Sequence, residues 1–275
     1  MKENALPTYK LLVLDLDGTL TNSKKEISET NLKTLIQLQQ SGVRIVLASG
    51  RPTYGIVPLA ETLQLKKYGG FILSYNGGEI IEWSTGEILY KNLLPNEVLP
   101  MLYDESKSAN LTILTYDEQY ILTENPSDGY VQKEAFLNKM QIRPVDNFLE
   151  AAPVPLPKCL IVGDPQQLMQ TEAELSLRLQ GIISVYRSEP YFLEVVPLGI
   201  DKARSLAVLL DKLGLTREEM VAMGDGYNDR SMIEFAGMGI AMANAQDPVK
   251  QVADYVTLSN DQDGVAVAVK QFFKL

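Results

Sequence analysis

The most constraining stretch of this sequence is Tyr9-Lys10-Leu11-Leu12-Val13-Leu14 running into Asp15-Leu16-Asp17-Gly18-Thr19-Leu20. The apolar run has the length and composition of a strand buried on both faces. It ends on two carboxylates one residue apart. Acids at the end of a buried strand are costly unless something compensates the charge. A divalent cation is one such compensation, and a carboxylate beside a metal can also act as a nucleophile. Asp-Gly is a common turn pair as well, so a plain turn is the competing reading.

The chain after Leu20 repeats this design. Ser28 is placed to cap a helix in which Ile27, Leu32, Leu35, Ile36 and Leu38 recur at helical spacing, and Gly42 ends it. Val43–Ala48 reads as a second buried strand, ending in Ser49-Gly50-Arg51-Pro52. A helix over Tyr54–Leu65 follows. Phe71–Tyr75 then reads as a third strand, ending in Asn76-Gly77-Gly78. Strands alternating with helices across short links predict a parallel sheet with helices on its faces. Ligands of such sheets lie outside the carboxyl ends of the strands, where Asp15, Ser49 and Asn76 fall.

The pattern changes beyond Gly78. Ile80–Trp83 and Glu87–Tyr90 read as a hairpin turning at Ser84-Thr85-Gly86. Helices are expected over Pro95–Ser106, Ser127–Lys139 and Pro165–Leu179, and strands over Leu111–Thr115, Tyr120–Thr123, Lys158–Val162, Ile182–Tyr186 and Tyr191–Val196. From Gly199 the first style returns. Asp201 is placed to cap a helix over Lys202–Leu213. Met220–Gly224 is a buried strand ending in Asp225, a short helix spans Asn228–Glu234, and Met238–Met242 is a strand ending near Asn244. A helix over Val249–Ala253, a short strand over Tyr255–Thr257 and a helix over Gly264–Phe273 complete the chain. The expected fold is therefore α/β, a doubly wound parallel sheet with a Rossmann-like core, split by an inserted α+β domain. The expected division is residues 1–84 and 193–275 for the core and 85–192 for the insert.

Bulk properties exclude several classes. A formal net charge of −10 with no offsetting basic stretch argues against nucleic acid and anionic membranes as partners. Cys159 is the only cysteine, so no internal disulfide is available; in Lys158-Cys159-Leu160-Ile161-Val162 it reads as a small core residue. No apolar span of about 18 residues occurs and no basic-then-apolar leader opens the chain, which predicts a cytoplasmic protein. There is no histidine at all, which removes imidazole catalysis and His-based zinc sites. Carboxylates, lysine and backbone amides must carry any chemistry.

Four strand ends present Asp15 with Asp17, Ser49-Gly50, Asn76-Gly77 and Asp225, and a helix start presents Lys202. These are parts for phosphoryl transfer, where positioning and charge stabilisation supply most of the catalysis. In that reading Asp15 attacks phosphorus. Asp15, Asp225 and the Asp17 main-chain carbonyl hold Mg²⁺. Lys202 neutralises a phosphate oxygen, and Ser49 with nearby amides donates hydrogen bonds.

These motifs resemble those of the haloacid-dehalogenase superfamily, in particular the Cof-type sugar-phosphate phosphatases with a large inserted α/β cap. Asp15-Leu16-Asp17-Gly18-Thr19 is similar to the first family motif, Ser49-Gly50-Arg51 to the second, Lys202 to the third, and Gly224-Asp225-Gly226-Tyr227-Asn228-Asp229 to the fourth. Ala243-Asn244-Ala245 and Asn260–Ala266 resemble later family segments. The resemblance covers both core halves; the insert matches in position and length more than in motif. It implies that Asp15 forms an aspartyl-phosphate and that Asp17 protonates the leaving oxygen and then activates water. It further implies that Asn228 touches the phosphate and that Asp229 orients the site around Mg²⁺. The implied substrate is a small phosphorylated metabolite, a sugar phosphate foremost, with specificity set in the cap.

Two positions depart from the family pattern: Ala203 follows the lysine and Ala243 precedes Asn244, where glycine is usual. Several residues carry a structural reading beside the functional one. Asp229 is placed as a first-turn helix acid favoured by the dipole, and Arg51 as a packing arginine. Thr19 and Asn76-Gly77 read as turn formers, and Asn244 and Asp247 as loop formers. Two rival functions keep the same motifs: a phosphomutase or phosphotransferase of the phosphomannomutase type, and a catalytically idle phosphosugar-binding protein.

Overall fold

The computed structural model describes residues 9–275. Fourteen strands occur among them, in chain order β1 (Leu11–Leu14), β2 (Arg44–Ala48), β3 (Phe71–Ser74), β4 (Glu79–Glu82), β5 (Glu87–Lys91), β6 (Thr112–Asp117), β7 (Tyr120–Thr123), β8 (Gln141–Pro144), β9 (Cys159–Val162), β10 (Ile183–Glu189), β11 (Phe192–Pro197), β12 (Met220–Gly224), β13 (Met238–Ala241) and β14 (Tyr255–Val256). They form two sheets, one ordered β14-β13-β12-β1-β2-β3-β4-β5 and the other β10-β11-β9-β6-β7-β8.

In the first sheet the six strands from β14 to β3 run parallel. Residues Leu11 to Leu14 have no exposed surface, which explains their unbroken apolar run: both faces of the strand are covered. Successive strands proceed outward from β1 in both directions, β2 and β3 on one side and β12 to β14 on the other. β1 is thus the topological switch point of a doubly wound α/β sheet, the place where ligands bind in such folds. Leu14 is in register with Leu47 on one side and Met223 on the other, so the strand ends bearing the candidate residues are level.

Helix caps follow the sequence closely. Ser28 caps Glu29–Gln40 by accepting the Asn31 N–H, and Asp201 caps Lys202–Leu213 by accepting the Arg204 N–H at 2.9 Å. Gly214 closes the latter helix in the left-handed conformation. No helix among the described residues is long and apolar enough to cross a membrane.

The second sheet is antiparallel except for β7 with β8, which are parallel. One face packs the helices Leu99–Ser108 and Pro165–Arg178 over Ile113, Cys159, Ile161, Leu193 and Val195. Cys159 is fully buried there and burial pushes its thiol up to about 12, so it is a core residue rather than a nucleophile.

The chain divides into two compact units. The first comprises residues through Gly50, Ile56–Tyr90 and Asp201–Leu275; the second comprises Arg51–Gly55 and Lys91–Ile200. The boundaries expected at 84/85 and 192/193 fall inside elements. The first cuts the β4–β5 hairpin, whose second strand extends the core sheet; the second cuts β11, which pairs with β9 and β10. At the first place a polar turn, Ser84-Thr85-Gly86, looks like a break but only turns a hairpin; at the second the apolar pattern of Tyr191–Val196 runs on with no break at all. Several short elements were also missed, the single turn Leu65–Tyr68 among them. β8 reads Gln-Ile-Arg-Pro, an edge strand with no apolar run, and Phe148–Ala151 is a single turn, too short for a helical period.

Candidate active site

The level strand ends assemble the polar group. Asp15 directly follows β1, Ser49 follows β2, Asn76 lies just past β3, and Asp225 directly follows β12. Lys202 opens the helix capped by Asp201. Gly77, at φ +102°, lets the β3 turn press against that helix start. A Cβ there would lie 2.5 Å from Ser205 Oγ and 2.7 Å from the Asp201 carbonyl oxygen.

Lys202 is the centre of the group. It is 1% exposed, and its Nζ donates to Asp15 Oδ1 at 2.8 Å, to Asp229 Oδ1 at 2.6 Å and to the Ala48 carbonyl at 2.9 Å. An ammonium has three protons, and all three have protein acceptors. Lys202 therefore offers an incoming phosphate its charge rather than a spare donor. Burial alone would lower its pKa, but the carboxylates of Asp15 and Asp229 outweigh that and hold it above the ordinary lysine value, so it stays charged.

Asp229 is fully buried. While Oδ1 meets Lys202, Oδ2 accepts the N–H groups of Asp225 and Gly226, both at 2.9 Å. Both oxygens are thus engaged by the protein. Asp229 buttresses the lysine and the backbone that carries Asp225, a fuller role than that of a first-turn helix acid. Thr19, read as a turn former, is buried and donates from Oγ1 to Asp225 Oδ1 at 2.8 Å. It was legible only as the residue after Asp-Gly, which carries no signal for a contact 206 residues away.

Oxygens of Asp15, Asp225 and Asp229 lie within 4.8 Å of one another. Three carboxylates around one ammonium leave an excess of negative charge. Burial, then the neighbouring Asp229, pushes Asp15 well above the usual carboxylate range against the pull of Lys202. Burial pushes Asp225 to about 6; the Thr19 hydrogen bond opposes this and Asp229 reinforces it. Such a group of hard oxygen donors with uncompensated charge fits a divalent cation, Mg²⁺ in particular. The side chain of Asp17 lies outside this trio; Lys25 Nζ pairs with its Oδ1 at 2.8 Å. Both partners are substantially exposed, so the pair contributes only about 0–1 kcal/mol.

Asn228 Nδ2 donates to Asn76 Oδ1 at 2.9 Å, joining the loops after β3 and β12. Asn76 has φ +57°, a left-handed conformation that Asn tolerates better than most residues. Gly50 gives it room: a Cβ there would lie 3.0 Å from Asn76 Nδ2. Ser49 is buried, and its backbone N–H and C=O bond Leu73 and Asn76. Arg51 donates at 3.2 Å to the carbonyl of Gly55, in the first turn of the helix Thr53–Thr62, and groups with the second compact unit. Asn244 donates to the Gly18 carbonyl at 2.8 Å, a loop-shaping contact.

Gly18 makes the first testable case. Its φ is +88°, and a Cβ would stand 2.3 Å from Asp225 Oδ2. Gly18→Ala is therefore expected to cost about 1–3 kcal/mol of stability and to displace Asp225. Weaker divalent-cation binding, measured by titration calorimetry, accompanies the loss; unchanged affinity and melting temperature would contradict it.

Fold and site together place carboxylates and a buried lysine at the ligand-binding edge of a doubly wound sheet. Comparison with known proteins gives the class. The haloacid dehalogenase-like hydrolase family matches residues 12–269. A crystal structure of a haloacid dehalogenase-like hydrolase from Bacteroides thetaiotaomicron superposes with a TM-score of 0.95 at 65% identity, covering 96% of this chain and all of that one. The sugar phosphatase BT4131, of haloacid dehalogenase subclass IIB, gives 0.80 at 27% identity, over 97% and 100% of the two chains. The 5-amino-6-(5-phospho-D-ribitylamino)uracil phosphatase YcsE of Bacillus subtilis is 32% identical over 263 residues, 96% of this chain and 95% of its own. The chain belongs to the haloacid dehalogenase-like hydrolase family, in its Cof-type branch, and is a phosphatase of that kind.

Proposed function

We propose that the protein hydrolyses small phosphomonoesters, sugar phosphates foremost, through an aspartyl-phosphate on Asp15. The observation that carries this reading is the buried Lys202 bridging Asp15 and Asp229 beside Asp225. Lys202 holds Asp15 Oδ1, which orients the other oxygen, Oδ2, as the nucleophile. Asp15 attacks phosphorus, the bond to the leaving oxygen breaks, and Asp17 supplies the proton that oxygen needs. Asp17 then takes a proton from water, whose oxygen attacks phosphorus as the Asp15–phosphorus bond breaks and phosphate departs. Asp15, Asp225 and the Asp17 carbonyl would hold Mg²⁺, which supplies charge neutralisation at the transferring phosphoryl group. Lys202 adds fixed positive charge, and in this reading Ser49, Gly50 and Asn228 donate to phosphate oxygens. The sugar phosphatase BT4131 and the YcsE phosphatase support a phosphorylated polyol or sugar as the substrate class.

A panel of phosphorylated sugars and nucleotides, read by free phosphate, tests the reading. The expected result is one phosphate released per leaving group, lost on chelation by EDTA and restored by Mg²⁺. Asp17→Asn should keep Mg²⁺ affinity but lower turnover by about 10²–10⁴-fold. Transfer of the phosphoryl group to a second sugar hydroxyl without phosphate release would instead identify a mutase, and Asp17→Asn turnover equal to wild type would remove the acid–base role.

A further inference from the structure

Residues 17–26 form a closed flap beyond β1. Asp17 bridges Thr21 at its base. Asn22 closes its turn: its N–H donates to the Glu26 carbonyl, its carbonyl accepts the Lys25 N–H at 2.9 Å, and its Oδ1 accepts the N–H groups of Lys24 and Glu26. Lys25 sits at φ +63°, a left-handed conformation uncommon for a residue with a long side chain. That conformation accompanies the return of Lys25 across the flap, with Nζ 2.8 Å from Asp17 Oδ1.

The flap is pinned along its length by the late part of the chain. Asn244 Nδ2 donates to the Gly18 carbonyl at 2.8 Å, and Asn260 Nδ2 to the Thr21 carbonyl at 2.9 Å. Asp261 Oδ1 accepts the Ser23 N–H at 2.8 Å, and Asp263 Oδ1 accepts from Ser28 Oγ at 2.5 Å. The Asn260 N–H donates to Asn244 Oδ1 at 3.0 Å, tying two of the pins together. Three side-chain contacts thus hold a segment that buries Thr19, Leu20 and Thr21 at its base and exposes residues 23–26, where the turn holds a lysine in an uncommon conformation. A solvent-exposed ion pair contributes too little to stability to account for this.

We propose that Lys25 is a positioning residue for Asp17, holding Oδ1 so that Oδ2 is the oxygen presented to the leaving group and then to water. The proposal rests on the acid–base reading of Asp17 given above. It is chemically consistent in both half-reactions. A carboxylic acid protonated on Oδ2 still accepts a hydrogen bond at Oδ1, so the Lys25 contact persists whether Asp17 carries the proton or has given it up. The lysine thereby fixes which oxygen carries the proton, and the pinned flap fixes the lysine.

The test compares phenyl phosphate, whose leaving group is the stronger base, with p-nitrophenyl phosphate, which needs less protonation. In Lys25→Met, kcat/KM for phenyl phosphate should fall about tenfold and that for p-nitrophenyl phosphate by less than about threefold. Lys25→Arg should restore most of the difference, and the melting temperature of both variants should match wild type. Asp17→Asn, measured alongside, should show the same selectivity more strongly. Equal losses on the two esters, a change in KM alone, or a marked fall in melting temperature in Lys25→Met would overturn the positioning role while leaving that of Asp17 intact. If Asp17→Asn itself shows no dependence on the leaving group, the acid–base reading falls, and the role of Lys25 with it.

Discussion

Asp15→Asn is expected to lower phosphate release from p-nitrophenyl phosphate, with Mg²⁺ present, by on the order of 10⁴-fold or more, because the proposed nucleophile is removed. The same substitution should make the metal-free protein more stable. Asp15 is a buried acid whose charged form is disfavoured, first by burial and then by Asp229. An acid whose folded pKa is raised destabilises the fold as pH rises above its unfolded value, and the penalty is complete above the folded value. Asparagine removes that penalty, while Lys202 keeps Asp229 and the Ala48 carbonyl as partners. The expected gain is about 1 kcal/mol, or roughly 2–4 °C in melting temperature, at neutral pH. It should shrink through about pH 4 and vanish at about pH 2.5–3, below the unfolded value, where the acid is protonated in folded and unfolded chains alike. Melting curves of both proteins in EDTA at neutral and acid pH, with phosphate assays in Mg²⁺, give the answer. An active, destabilised Asp15→Asn protein would count against both claims.

Lys202→Met works in the opposite direction on stability. It leaves Asp15 and Asp229 buried without their shared ammonium, and breaking a buried pair in this way costs about 3–5 kcal/mol. The wild-type lysine has its folded pKa raised above the unfolded value, so its contribution is present throughout the neutral range and is lost only as pH rises through that folded value. The variant should therefore be weakest at neutral pH. It should recover part of its deficit toward pH 4–5, where the orphaned Asp15, whose proton affinity is already raised by burial, takes up a proton. Activity should be lost by at least about 10²-fold, since the fixed charge and the orientation of Asp15 go together. Urea titrations at pH 4.5 and 7.5 check the sign: a deficit that is the same at both would show that lost packing, not charge, is responsible.

The legibility of this molecule in its sequence tracks how local each determinant is. β1, β2, β3 and β12 were readable because strands covered on both faces must be continuous apolar runs, and each run stops at a polar residue. The helix start at Asp201 was readable because a cap acts within three residues. Their meeting at one sheet edge followed from parallel order alone. The partners inside the group were not readable. Nothing near Asp229 announces that its two oxygens hold Lys202 and two amides, and nothing near Thr19 announces Asp225. The unit boundaries were misplaced by several residues because β5 and β11 carry ordinary strand patterns, and only pairing decides which sheet each joins.

The order of the first sheet also bears on how the protein is made. β1 lies between β2, which follows it closely in the chain, and β12: Leu11 pairs with Met220. During synthesis the central strand can find one neighbour early, whereas the other emerges only after the whole inserted unit has been translated. Until then an apolar strand stands with one edge unpaired, the kind of surface that associates with other chains. Lys202, Asp225 and Asp229 arrive in that same late segment. The nascent chain therefore carries Asp15 without its counter-charge for most of its synthesis, and sheet closure and assembly of the catalytic group coincide.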